Sequence, residues 1–464
     1  VPSKSWSLAQ MWLLFILGFG ASGGSQLLDV PAAAVSVDRG EEIGNMNFVT
    51  RRGRQLLDGS DLFRFAGCNI YWLGLDENVG GVHHPTKFRV LDALTTAANL
   101  GARVVRSHTV GFSTGSSLAF EPSLGDFNES ALDLADFAVY TAEKLNLRLV
   151  LPLTDDGDHY EGGKRDFTKW VGVRNESEFY TNGTVISAFK EYITRRLNHI
   201  NPYTKRKAVD EPAILAWETG NEIHPPANWT QEIAKFIKSL DTRHLVMDGS
   251  YGISEAALGI PEVDLYSNHY YPASADKLAT DIKQVAEADK VLVIGEYGWT
   301  DSAKTPPFFT ASEQYADTLA GTMFWSLFPH ADDHGFVQHG DGFTFHYPGD
   351  NDWMRNFSAL ARVHAYHMAG VDNPPPVPPP PIAPVITAVN STHASWRGAA
   401  LASMYTLETS SDGKSGWVVC GKPSSATDND TPFRLPCAVL SYIRVVPVGV
   451  TGLRGPASLP FPTS

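Results

Sequence analysis

From about residue 47 to residue 368, short runs rich in β-branched and apolar residues alternate with longer stretches whose apolar positions recur every three to four residues. The runs 63–68, 102–107, 147–153, 214–218, 244–249, 264–269, 291–296 and 322–327 predict strands. Between them, 87–100, 130–145, 185–199, 229–240, 277–288 and 312–320 predict helices, and a further helix is expected at 353–368. Leu132, Ala135, Val139, Ala142 and Leu145 carry the spacing of a helix face laid on a sheet. The fifth unit is the weakest, with only 254–258 available after its strand. Eight strands, each followed by a helix or by room for one, predict an α/β fold of the closed (β/α)8 kind, the TIM barrel. Ahead of the first strand, 48–57 with the turn signal Asp58-Gly59 reads as a hairpin that closes the bottom of the barrel.

The pattern breaks once. Residues 373–384, NPPPVPPPPIAP, predict an extended polyproline linker acting as a semi-rigid spacer. It separates a large domain, 46–372, from a small one, 385–464. In the small domain the runs 394–396, 405–409, 417–420 and 442–447, punctuated by Gly, Pro, Ser and Asp, predict a β-sandwich. Its end, Tyr442-Ile443-Arg444-Val445-Val446 followed by 449–456, resembles a fibronectin type III module. Trp396 and Trp417 read there as core or interface residues before sugar stackers.

At the other end Lys4, the apolar run 11–19 and the small residues 21–25 have the order of a signal peptide, assigned to 1–25. The run is too short to span a bilayer comfortably, and 26–45 is read as an N-terminal extension. Six Asn-x-Ser/Thr sequons, at Asn128, Asn175, Asn182, Asn228, Asn356 and Asn390, fit a glycosylated secretory product, released or held in a cell wall. In such an oxidising compartment Cys420 and Cys437 are free to pair, while Cys68 sits in an apolar stretch and reads as core. A net charge of −14 excludes nucleic acid and anionic membrane surfaces as partners and fits a neutral substrate. A monomer without cofactor and without membrane attachment after signal cleavage is expected.

Chemistry in such a barrel gathers at the C-terminal ends of the strands. Those ends carry Arg106 (strand two), the sequence Trp217-Glu218-Thr219-Gly220-Asn221-Glu222 (four), Asn268-His269-Tyr270-Tyr271 (six), Gly295-Glu296-Tyr297-Gly298-Trp299 (seven) and Trp325 (eight). Two carboxylates from nearly opposite strands, ringed by Arg, Asn, His, Tyr and Trp, fit glycoside hydrolysis. One carboxyl protonates the leaving oxygen and the other attacks or stabilises the anomeric carbon. A separation of about 5–5.5 Å would mean retention of configuration, and a wider one inversion.

At these positions the chain resembles glycoside hydrolase family 5, within the clan of (β/α)8 retaining glycosidases, and in particular its endo-β-1,4-mannanase branch. The matching residues are Ala66-Gly67-Cys68-Asn69-Ile70-Tyr71-Trp72, Val105-Arg106 and the stretch from Asp210-Glu211-Pro212 through Trp217-Glu218 to Asn221-Glu222. His269, Tyr271, Gly295-Glu296-Tyr297-Gly298 and Trp325 complete the set. The resemblance covers about residues 47–368. It implies Glu222 as acid/base, with a pKa raised by the nearby negative nucleophile, and Glu296 as that nucleophile, held by Arg106 and the Tyr271 hydroxyl. It further implies Asn221 on the sugar 2-hydroxyl, His269 supporting the acid/base, and Trp325 as the platform under the sugar. Trp72, Trp170 and Trp299 are candidate further platforms and His159 a candidate substrate contact. Glu218 is expected to be a buried supporting acid, and Trp217 and Trp353 structural.

The chain departs from the mannanase pattern at Thr219-Gly220, at Ile223-His224 after the acid/base where Pro is common, and in an acidic third loop, 154–163. The segment with His330, Asp332, Asp333, His334, His339, Asp341 and His346 resembles a list of metal ligands, but its spacing matches no metal motif. A long polar loop shaping the cleft is expected instead. The function expected is a secreted retaining β-glycosidase, an endo-β-1,4-mannanase acting on β-linked polysaccharide by double displacement. The alternatives are another β-glycan specificity on the same fold, exo-acting or glucanase, and a non-catalytic carbohydrate-binding wall glycoprotein.

Overall fold

The computed structural model describes residues 46–425 and 432–463. The expected signal peptide and extension, 1–45, lie outside the described residues. Eight parallel strands close on one another: β1 (Phe65–Asn69), β2 (Val104–Arg106), β3 (Arg148–Pro152), β4 (Ile214–Glu218), β5 (Leu245–Asp248), β6 (Leu265–Tyr270), β7 (Val291–Gly298) and β8 (Leu319–Trp325). Each pairs with its neighbour in sequence, and β8 returns to β1. This is the predicted TIM barrel.

Two apolar layers hold it. Residues pointing inward from the strands, among them Phe65, Val104, Val150, Met247, Val293 and Met323, fill the barrel. Val49 and Leu56 join that cluster from the strands Val49–Arg52 and Gln55–Asp58, so the N-terminal hairpin plugs the bottom. A third short strand, Asp61–Leu62, extends it. Residues pointing outward meet the helices in a second, larger cluster. Trp217 belongs to it, its indole N–H donating to Asp241 at 2.8 Å.

Two elements differ from expectation. The helix between β7 and β8 is Thr305–Gln314, not 312–320, and β8 begins at Leu319 instead of 322. Pro306 and Pro307 occupy the first turn of that helix, where a missing N–H costs nothing. The weak fifth unit is a single 3-10 turn, Glu255–Ala257. Among the described residues no helix is long and apolar enough to cross a membrane.

The C-terminal segment forms two antiparallel sheets. One joins Val385–Val389, His393–Arg397 and Phe433–Arg434; the other is built on Met404–Ser410 and Tyr442–Val448. Trp396, Tyr405, Leu407, Ile443 and Val445 pack between them. Cys420 and Cys437 form a disulfide, and Cys68 is a buried thiol whose pKa burial pushes up. Trp417 lies half-buried with the Arg444 guanidinium 4.3 Å from its ring.

Candidate active site

Glu296 is set by a break in strand register. The pairing of β7 shifts between Ile294 and Glu296 against β6 and between Ile294 and Tyr297 against β8, and such a bulge re-aims the side chain that follows it. Gly295 makes room: a Cβ there would meet Ser267 Oγ at 2.4 Å and His269 Nε2 at 2.8 Å. Arg106, fully buried at the end of β2, donates to Glu296 Oε1 at 2.8 Å, and the Tyr271 hydroxyl donates to Oε2 at 2.7 Å. Arg106 also holds Glu218 through two bonds of 2.7 and 3.0 Å and donates to Asn221 Oδ1 at 2.7 Å. Burial opposes the Arg106 charge, but Glu218 and Glu296 more than offset it, and its pKa lies above the ordinary value. Glu218, by contrast, is raised by burial against the pull of Arg106. Tyr271 keeps its proton, because burial of its hydroxyl end and then the Glu296 charge both push its pKa up.

Glu222 sits differently. It follows β4 with φ 51°, a left-handed conformation that costs a non-glycine residue roughly 1–2 kcal/mol. The neighbours on both sides pin it: Asn221 N–H donates to Thr154 O at 2.8 Å, and Ile223 N–H to Gly249 O at 3.1 Å. The side chain is 35% exposed and bonded to His269 Nδ1 at 2.7 Å. Here the expectation of a raised pKa fails. Burial does raise it, but the bond and charge of His269, with Arg106 and His224 behind, outweigh burial and hold the carboxyl below its ordinary value. A nearest ligand oxygen of Glu222 lies within 4.8 Å of one on Glu296. Beyond Glu222 a cavity of about 630 Å³ opens between Tyr251, Tyr271, Lys277 and Lys304.

The remaining expected residues divide. Asn221 is buried beside Glu222, its Nδ2 donating to Asp155 at 2.8 Å with one further hydrogen to give. Trp325 is half-exposed in the cleft, its indole N–H donating to Asp341 at 2.6 Å and its ring stacked on Tyr71 at 5.1 Å. Trp72 and Trp299 are not platforms. They are 1% and 3% exposed, donate to Leu327 O and Phe343 O, and stack on Phe328 and Phe357. Trp72 lies in the turn after β1 and joins the outer cluster, and Trp299, just past β7, shares the outward parity of Tyr297. Trp170 ends the helix Lys164–Trp170 and packs edge-on against Phe167. His159 is exposed on the β3 loop, its charge acting on Asp155 and His108.

Sequence reasoning missed the wall behind Arg106. His108 Nε2 accepts from Arg106 Nη1 at 3.1 Å, and its Nδ1 faces Glu161 at 3.5 Å and Asp155 at 3.9 Å. Burial keeps His108 neutral, pushes Asp155 up to about 6 and raises Glu161 well above the carboxylate range. The signal was available, since His108 lies two residues past Arg106 and therefore on its side of the chain. Among the described residues, His108/Asp155/Glu161 and Glu222/His269/Glu296 are the groups whose ligand atoms converge within 4.8 Å. None comes from the 330–346 loop, whose histidines pair separately: His330 with Asp92, His339 with Asp341, His346 with Asp350.

The model of the glycoside hydrolase family 5 β-mannosidase-like family matches residues 46–284. The chain belongs to this family. A putative mannan endo-1,4-β-mannosidase of Arabidopsis thaliana is 30% identical over 251 residues, covering 50% of this chain and 58% of that protein. One from Solanum lycopersicum is 29% identical over 328 residues, covering 60% and 79%. The chain thus spans 58%, 54% and 58% of the length of the first curated relatives it matches. The endo-1,4-β-mannanase of Rhizomucor miehei superposes with a TM-score of 0.60 at 26% identity, over 70% of this chain and all of that one. The Thermotoga petrophila enzyme shares the fold at a TM-score of 0.57 and 23% identity, over 65% of this chain and all of that one.

Proposed function

We propose that this family 5 chain hydrolyses β-1,4-linked mannan from within the polymer, retaining anomeric configuration through double displacement. The observation that carries the reading is the carboxylate pair within 4.8 Å, one member saturated by Arg106 and Tyr271 and the other facing an open cavity. Inverting pairs need about 6.5–9.5 Å to admit a water between them.

In the first step Glu296 Oε attacks the anomeric carbon while Glu222 gives its proton to the departing glycosidic oxygen. The C–O bond to the leaving sugar breaks as the glycosyl ester forms. In the second, Glu222 takes a proton from water, which displaces Glu296. Glu222 must therefore carry a proton when the sugar arrives. A sugar covering its exposed third removes water from the carboxyl and drives its pKa upward. Asn221 offers its second amide hydrogen to the sugar 2-hydroxyl, a contact that strengthens as charge develops. Trp325 supplies the apolar floor.

Secretion belongs to the same proposal. Asn175, Asn228, Asn356 and Asn390 are exposed and Asn128 and Asn182 half-exposed, as glycan attachment requires, and the Cys420–Cys437 disulfide suits an oxidising compartment.

The test is a panel of mannan, glucomannan, cellulose, β-1,3-glucan and β-1,6-glucan, with the first-formed product followed by proton NMR. Cleavage of mannan to oligosaccharides of initial β configuration is expected. A first-formed α product overturns the mechanism, and cleavage of glucans with mannan untouched overturns the substrate.

A further inference from the structure

The loop from β8 to the helix Asp352–Met368 is far longer than an ordinary connection and has no regular structure of its own. Each residue ordered in it costs roughly 1–2 kcal/mol of backbone entropy, so its shape must be held by contacts elsewhere. One end of those contacts is the cleft. Asp341 accepts the Trp325 indole N–H at 2.6 Å, and Phe343 packs edge-on against Tyr271 at 5.2 Å. His339 bonds Asn78 at 2.8 Å. The loop therefore fixes both the sugar floor and the ring of the residue that donates to Glu296.

The other end is the C-terminal module. Phe336, 8% exposed, is counted in that module's core with Trp396, Tyr405 and Ile443, not in the barrel's. Its ring stacks between His330 at 4.4 Å and His346 at 4.7 Å. His330, 3% exposed, bonds Asp92 of the barrel through Nδ1 and the Tyr405 hydroxyl of the module through Nε2 at 3.4 Å. Gly398 lets the module close on that ring, since a Cβ there would meet His330 Cδ2 at 2.0 Å. The Thr387 hydroxyl donates to Asp333 O at 3.0 Å, and Leu401 of the module is buried in the barrel's own outer cluster.

We propose that the C-terminal module is a brace for the cleft: by seating Phe336 and His330 it sets the β8 loop, and through it Trp325 and Tyr271. Phe336 and His330 are positioning residues. Their contacts are with Asp92, His346 and the module, and they act through Asp341 and Phe343. The module's sequence likeness suggests a detached spacer or a binding unit; its contacts give it a part in shaping the site. The mechanical link stands on the contacts alone, whereas its consequence for turnover rests on the hydrolase reading above.

The experiment uses the full chain with Phe336→Ala, the rescue variant Phe336→Leu, and Gly398→Val, which disturbs the joint from the module side and leaves the loop sequence intact. Hydrogen exchange at 338–344 rises in Phe336→Ala and Gly398→Val and returns towards wild type in Phe336→Leu, while exchange in β6 stays constant. With β-mannan as substrate, kcat/KM falls by about 10- to 100-fold in the first two, the range expected for a misplacement of about 1 Å, and KM rises because the floor is displaced. Phe336→Leu recovers most of the loss. Val418→Ser, at an exposed module position, leaves kcat/KM within twofold. Unchanged exchange at 338–344 overturns the brace. So does raised exchange with kcat/KM still within twofold of wild type. A wild-type chain inactive on every β-glycan overturns the hydrolase reading instead, and the exchange measurement then decides the mechanical link by itself.

Discussion

The two carboxylates occupy opposite kinds of surroundings. Glu296 is 6% exposed and has a donor on each oxygen, and its main partner Arg106 is itself tied to Glu218, Asn69 and Asn221. Glu222 is one-third exposed on a pinned left-handed residue, with a single titratable partner, His269. A nucleophile gains from the first arrangement, since an ionised oxygen held in place spends no reorganisation on attack. An acid/base must exchange its proton twice per cycle, and saturating it with fixed donors would lock one state. The contrast supports the proposed roles independently of strand order.

The largest test of that contrast is Glu296→Ala. Without the nucleophile, turnover should fall by on the order of 10⁴-fold or more on every substrate, activated or not, while oligosaccharide binding by isothermal calorimetry persists. Hydrolysis at the wild-type rate would remove Glu296 from the mechanism. Glu222→Gln should discriminate where Glu296→Ala does not. On polysaccharide, kcat drops by about 10²–10⁴-fold, the contribution of general acid catalysis. On a glycosyl fluoride, whose leaving group needs little protonation, the first step survives and the glycosyl-enzyme accumulates, detectable as added mass on the intact protein. Equal losses on both substrates would mean that Glu222 does not act as the acid.

A third variant turns from activity to stability. Arg106→Met removes the cation from between Glu218 and Glu296 and leaves two buried carboxylates facing each other. Breaking a buried pair from one side costs about 3–5 kcal/mol, measurable as a lowered urea midpoint. Glu222→Gln, at the solvated side, should move the midpoint far less. Equal destabilisation by the two would erase the difference between the sides.

How much of this was readable beforehand follows from where each signal lies. The barrel was legible because each strand and helix carries its own periodicity, and the meeting of the two carboxylates because Asn221-Glu222 and Gly295-Glu296 sit at strand ends, where position along the chain fixes position in the barrel. Trp72 and Trp299 were misread because proximity to a strand end does not say which way a side chain packs, and both join the outer cluster. β8 was placed late because the preceding helix, with prolines in its first turn, begins at Thr305 and ends at Gln314, ahead of the expected 312–320. The loop carrying His339 and Asp341 was expected to shape the cleft, but which groups those residues hold, and any part for Phe336, were not legible. Their partners, Trp325, Asn78 and the module core, come from distant segments, and no local pattern encodes that meeting. The lowered Glu222 pKa belongs to the same class. Its cause is the geometry of His269, which a list of strand ends does not contain.

That last point gives the smallest and sharpest test. In the wild-type chain burial pushes Glu222 up, and His269 by bond and charge, assisted by Arg106 and His224, brings it below its ordinary 4.5. His269→Gln removes the leading opposing group and leaves burial in place. The Glu222 titration should therefore move upward, read from the carboxyl carbon signal of protein labelled at glutamate and assigned by its loss in Glu222→Gln. The linkage has a definite sign. A carboxyl lowered on folding adds stability above its unfolded value and loses it as pH falls through the folded one, so the wild-type contribution is present at neutral pH and fades on the acid side. In His269→Gln the folded value rises towards or past the unfolded one, so that contribution shrinks or, where burial dominates, changes sign. Glu296, whose donors are Arg106 and Tyr271, should keep both bonds in the variant. A downward shift of Glu222, or no shift, would mean that its proton is governed by groups other than His269, and the division between a fixed and a responsive carboxylate would fail.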